Sequence, residues 1–236
     1  MNPLHQIPQI NYSYIVENYN RICYNIKDTT AKYRRPDDRV EIMAVTKTVS
    51  PDAVNIAVRS GIKLLGENRV QEFLSKKDLY NNNVEVHFIG KLQSNKVKYI
   101  INDVDMIQSV DSIKLACEID RQAEKNSLVA DILIEVNIGE EESKGGVSTE
   151  SLDGLIYEAA QLKNIRICGL MAIPPINAEE KLFFEMQKLY NAYNEKNIEN
   201  VNMSILSMGM SNDYQTAIKF GSTLVRIGTG LFGLRK

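Results

Sequence analysis

The stretch Glu41-Ile42-Met43-Ala44-Val45-Thr46-Lys47-Thr48 runs straight into Val49-Ser50-Pro51-Asp52. It reads as a short apolar strand that stops at a lysine and turns directly into a helix start. Ser50 suits an N-cap, and Pro51 brings the fixed φ of a first helical position. The same unit recurs along the chain. Strand-like runs are expected at 41–46, 63–66, 85–90, 106–110, 131–137, 166–173, 203–208 and 223–228. Helical segments are expected from Ser50 onward and at 68–79, 94–101, 111–126, 148–162, 177–195 and 211–220. Ahead of them, Tyr14-Ile15, Asn18-Tyr19, Ile22 and Ile26 fall at helical spacing and predict a long helix over residues 11–33.

Eight parallel strand–helix units without a composition break match a closed (β/α)8 barrel of the TIM type, with an open doubly wound sheet as the alternative architecture. The strands are mostly apolar, as expected when both faces of a parallel sheet are covered. The domain expectation is one barrel over residues 1–236, with residues 1–35 forming a helical segment packed on it.

Composition narrows the function classes. The chain has 236 residues, 28 basic and 30 acidic side chains and a formal charge of -2, so nothing global attracts nucleic acid or an anionic membrane. No apolar run approaches a membrane span and no secretory leader opens the sequence, so the expectation is a soluble, cytoplasmic protein. Cys23, Cys117 and Cys168 lack ligand spacing, and His5 and His87 are the only histidines, which argues against a zinc site.

Chemistry in such a barrel gathers at the carboxyl ends of the strands, and unusual residues recur there. Lys47 follows the first strand, Glu67 and Asn68 the second and Lys91 the third. Ser109, Asn137 and Met171 mark the next three, Ser207 and Gly209 the seventh, and Arg226, Gly228 and Thr229 the eighth. An amine at a strand end is partly desolvated, which lowers its pKa and prepares it to attack an aldehyde. The turn Gly228-Thr229-Gly230 lets backbone N–H groups approach a phosphate, and Ser207-Met208-Gly209-Met210-Ser211 offers a second small-residue turn. The ligand expected opposite Lys47 is therefore an aldehyde that carries a phosphate: pyridoxal 5'-phosphate or a sugar-phosphate aldol substrate. Arg226, leading into the phosphate turn, can donate to a pyridine nitrogen and keep it unprotonated, which weakens the ring as an electron sink.

Several segments carry a family resemblance. They are Ala44-Val45-Thr46-Lys47, Gly66-Glu67-Asn68-Arg69-Val70-Gln71-Glu72, His87 through Lys96, Ser143-Lys144-Gly145-Gly146, Gly169-Leu170-Met171, Leu206 through Ser211 with Asp213, and Val225-Arg226-Ile227-Gly228-Thr229. In this order they resemble the pyridoxal phosphate homeostasis proteins. The resemblance implies a fold-type III barrel, like the N-terminal domain of alanine racemase. It implies pyridoxal phosphate held as a Schiff base on Lys47, Arg226 facing the pyridine nitrogen, and Ser207, Gly228 and Thr229 holding the phosphate. Asn68 near the ring and Met208 in the second loop complete the expected cofactor-binding set; capping of the next helix is the other reading of Asn68. The loop 139–146 matches the family's mobile loop, and Lys144 is expected to offer a transient second amine.

Racemases of this barrel type draw a tyrosine from an additional C-terminal domain, whereas this sequence ends shortly after the eighth strand. The expectation is a monomeric carrier that stores or delivers pyridoxal phosphate, with apo forms of enzymes that use it as partners. A racemase or other Schiff-base enzyme of low activity is the alternative.

Overall fold

The computed structural model describes residues 11–81, 84–141 and 145–234. Eight strands follow one another in parallel: β1 (Glu41–Val45), β2 (Leu64–Glu67), β3 (Glu85–Phe88), β4 (Met106–Val110), β5 (Ala130–Val136), β6 (Ile165–Ala172), β7 (Val201–Ser207) and β8 (Leu224–Ile227). Each pairs with the next, and β8 returns to β1 through pairs such as Met43↔Arg226, so the sheet closes into the expected barrel. The helices are α1 (Ser13–Tyr33), α2 (Pro51–Ser60), α3 (Val70–Lys76), α4 (Ile113–Lys125), α5 (Leu152–Ala159), α6 (Glu180–Glu195), α7 (Tyr214–Lys219) and α8 (Thr229–Phe232).

Local chemistry accounts for most boundaries. The Ser50 hydroxyl caps α2 by accepting from Ala53 N, and Gly61 ends it at φ 122°, a conformation open to glycine. The expected long helix is α1. Its Ile15, Ile22, Ile26 and Thr29 form a buried stripe against the barrel's outer layer, where it meets α2, α7 and α8. Asn18 Nδ2 donates to Leu231 O at 3.0 Å and Arg34 Nη1 to Ser222 O at 2.9 Å, tying the helix down near both ends.

Beyond shifts of a few residues at other ends, four differences from expectation have a visible local cause. Ser94–Tyr99 is a 3-10 helix rather than an α-helix, closed by short-range bonds such as Lys96 N to Gln93 O; the three-residue repeat suits Val97 and Ile100, both fully buried. The helix expected from Ser148 begins at Leu152, because Ser148 makes a turn that accepts from Ser151 N. The helix expected from Ser211 begins at Tyr214, because Asp213 Oδ1 accepts from Met210 N and holds the preceding residues as a turn. The glycine turn after β8 continues as the four-residue helix α8.

Inside the barrel, side chains alternate between interior and exterior. Met43, Leu64, Ile89 and Leu224 form one inner apolar cluster, and Met106, Leu133, Cys168 and Met171 form another. Each fully buried aliphatic side chain contributes roughly 1.5–3 kcal/mol. Where β6 kinks at its register shift, Gly169 has φ +150°, and a Cβ there would overlap the carbonyl oxygen of Ile205.

Candidate functional site at the barrel mouth

The pairs Val45↔Gly66 and Ala44↔Ile227 end on either side of β1. Continuing both registers sets Lys47 between Asn68 and the Gly228–Gly230 turn. The alternation that turns Met43 and Val45 inward carries half-buried Lys47 to the interior side. Its neighbours are anchored from behind. Thr46, fully buried, donates through Oγ1 to Glu67 Oε1 at 2.6 Å, and Tyr80 OH donates to the same oxygen at 2.5 Å. Thr48 N donates to Glu72 Oε1 at 2.5 Å, Lys76 pairs with Glu72, and Lys76 Nζ also reaches Thr46 O at 3.4 Å. Burial pushes the Glu67 carboxyl up despite those two hydrogen bonds, and Tyr80 is raised by burial and by Glu67.

Arg226 sits on the inner face of β8 and is 3% exposed. Its Nη1 donates to Ser207 Oγ at 2.7 Å and its Nη2 to Ala172 O at 2.8 Å, two of the five N–H groups a guanidinium carries. Ser207 Oγ donates onward to Gln108 Oε1 at 2.8 Å, and Gln108 Nε2 lies 2.8 Å from His87 Nδ1. The chain has one direction. An amide nitrogen only donates, so His87 Nδ1 accepts and the ring carries its proton on Nε2. Burial pushes His87 down to about 4, which keeps it neutral near pH 7. Burial lowers Arg226 to about 10, so it stays charged there.

Glu135 faces the same interior from β5 and is 8% exposed. Burial, with a smaller push from Asp111, raises its carboxyl to about 7, while Arg226 and Lys91 pull the other way. Gly145 lies against it, so close that an added Cβ would crowd Glu135 Oε1 at 3.3 Å.

The expected phosphate turns also meet. Arg226 N donates to Gly209 O at 2.9 Å, and Gly230 N donates to Ser211 Oγ at 2.9 Å, which joins the loop after β7 to the turn after β8. Gly209 has φ +93°. Gly228 is half-buried and Thr229 exposed, both at the mouth.

Two expected cofactor-binding residues have their side chains turned away from the turns. Ser207 Oγ donates to Gln108 and accepts from Arg226 in the interior, so it positions the Arg226 guanidinium. The Met208 side chain is fully buried in the layer between sheet and helices, so only its backbone remains for a ligand. Lys144 lies outside the described residues. Glu135 and Gln108 join the interior although neither is among the expected site residues, because the strands that carry them read as covered on both faces.

The alanine racemase N-terminal domain model matches residues 18–236. A pyridoxal phosphate homeostasis protein of Aquifex aeolicus is 44% identical over 93% of this chain and 98% of its own length. The chain belongs to the pyridoxal phosphate homeostasis protein family. A second member, from Haemophilus influenzae, is 36% identical over 94% of this chain and 96% of its own length. Among solved structures, PipY of Synechococcus elongatus PCC7942 with pyridoxal phosphate bound is 30% identical, with a TM-score of 0.74, covering 93% of this chain and all of that one. Alanine racemase of Corynebacterium glutamicum has a TM-score of 0.71 at 14% identity; the match covers 96% of this chain and 62% of the racemase and shows a shared fold.

Proposed function

We propose that this protein binds pyridoxal 5'-phosphate at the barrel mouth, holds it as a Schiff base on Lys47, and stores it or delivers it to apo forms of enzymes that use it. The carrying observation is the anchored guanidinium of Arg226 on the strand paired with the one that leads to Lys47. The residues present fit the group. Lys47 offers a primary amine, Arg226 its Nε–H for an acceptor ring nitrogen, and Gly228, Thr229 and the Met208–Gly209 backbone offer hydrogen-bond donors for the phosphate. Asn68 borders the amine, and its buried Oδ1 has no partner among the described residues. When bound, the group supplies an aldehyde that condenses reversibly with an amine.

A charged guanidinium at the ring nitrogen keeps that nitrogen unprotonated, so little electron withdrawal is available for catalysis. This favours a carrier, and the names of the relatives support it. Glu135 is the observation that favours the rival reading of a low-activity enzyme, since a carboxyl near 7 can move a proton at neutral pH.

The test mixes holo-protein with an apo-aminotransferase and follows activity regained alongside loss of the holo-protein's visible absorbance. Recovery that outpaces an equal amount of free cofactor supports delivery; absorbance retained with no recovery leaves storage. Amino-acid α-proton exchange that disappears in Glu135→Gln would instead establish the enzyme.

A further inference from the structure

Two motifs have little part in the site above, yet the fold brings them together. Asn68-Arg69-Val70-Gln71-Glu72 opens α3, and Lys91-Leu92-Gln93 with Lys96 leads into the 3-10 helix. Together with Phe88 they enclose a cavity of about 620 Å³. Val70, Phe88 and Leu92 belong to the apolar layer outside the barrel, so the cavity lies beside the mouth. Asn68 forms a wall common to both.

The lining has an unbalanced charge. Arg69 and Lys91 are exposed and Lys96 is half-buried with its Nζ 5.6 Å from the Tyr99 ring centroid; among the described residues no ion pair engages any of the three. Glu72 is the cavity's carboxylate, and Lys76 already pairs with it. Burial acts to raise Glu72, but the hydrogen bonds from Lys76 and Thr48 N outweigh it and hold the carboxyl below its usual range. Three positive charges therefore face a concave space of ligand size, ~300–1,000 Å³ being typical. Gln71 and Gln93 add neutral donors. Asn68 Oδ1 is a buried acceptor without a partner, a costly state that a donor on a ligand would relieve once the Asn68 side chain turns its amide into the cavity.

We propose that this cavity is a second binding site, for a small phosphate monoester that also carries a hydroxyl or amine. A phosphate monoester brings close to two negative charges and three acceptor oxygens, which suits one guanidinium and two ammonium groups. The hydroxyl or amine answers Asn68 Oδ1. A carboxylate ligand would leave one cation more without a counter-charge.

The experiment uses holo-protein reduced with borohydride, in which the Lys47 site is sealed; a chain that takes up no pyridoxal phosphate is recognised at that step and titrated as purified. Inorganic phosphate and glycerol 3-phosphate are added in turn while side-chain amide signals of Asn68, Gln71 and Gln93 are followed by NMR, with chloride of equal ionic strength as the control. Saturable shifts at all three amides are expected, with tighter binding of glycerol 3-phosphate. Arg69→Ala, at an exposed position, and Lys96→Ala, at a half-buried one, should each weaken it about tenfold. Shifts that match the chloride control, or saturable shifts confined to the Gly228–Gly230 turn, would overturn the site. Equal affinity for the two anions would overturn the assigned role of Asn68.

Discussion

Arg226 Nη1 and Ser207 Oγ stand 2.7 Å apart on neighbouring strands, inside the barrel rather than in the turn after β8. Ser207 serves the guanidinium, and Gln108 and His87 serve Ser207. Ser207→Ala would leave one buried arginine N–H and one glutamine oxygen unpaired. The expected loss is about 1–3 kcal/mol in urea unfolding, with weaker cofactor retention at the same time. Retention and stability both equal to the parent would show that Arg226 needs no such support.

Glu135 makes stability depend on pH in a stated direction. Its ordinary value is 4.5 and its folded value about 7. Below the ordinary value both folded and unfolded chains hold the proton. Between the two values the folded chain keeps it and the unfolded chain has released it, so stability falls as pH rises, by about 3 kcal/mol in all, and then levels off. Glu135→Gln should flatten that decline between pH 5 and 8. An unchanged profile would place the titration elsewhere.

Tyr80 and Thr46 share one oxygen of Glu67 behind the Lys47 turn. Tyr80→Phe removes one of two donors to a buried carboxyl and should lower stability by about 1–2 kcal/mol. The pH at which bound cofactor changes colour should move as well, because the Thr46–Thr48 segment loses a restraint. A stability loss without that spectral shift would limit Glu67 to packing.

Two glycines give opposite expectations. A Cβ on Gly90 would overlap the backbone carbonyl of Asn68, which cannot swing aside, so Gly90→Ala should destabilise by about 1–3 kcal/mol and disturb Asn68. Gly154 lies within α5 with nothing inside 4 Å of an added Cβ, and Gly154→Ala should stabilise by about 0.5–1 kcal/mol. Thermal melts of the two variants check both signs.

The barrel was legible because strand-length apolar runs abut residues that open helices, as at Val45 and Ser50-Pro51. Lys47, Arg226 and the Gly228–Thr229 turn lie at strand ends on one side of the barrel, where the order of strands and helices puts them. Ser207 is joined in sequence to the loop Met208–Ser211, yet β7 runs through it and turns its hydroxyl inward, two residues on from Ile205. Glu135 and Gln108 sit in runs that read as apolar on both faces. Only closure of the sheet makes their alternate positions an interior polar layer. The cavity between Asn68 and Lys96 depends on how α3 and the 3-10 helix pack, which no local pattern encodes.

The most direct measurement is borohydride reduction of the protein loaded with pyridoxal phosphate, followed by peptide mapping of the modified lysine and by the same treatment of Lys47→Ala. The account predicts a single pyridoxyl label on Lys47 and no stoichiometric label in the variant. Stoichiometric labelling at another lysine, or none in the parent, would contradict it.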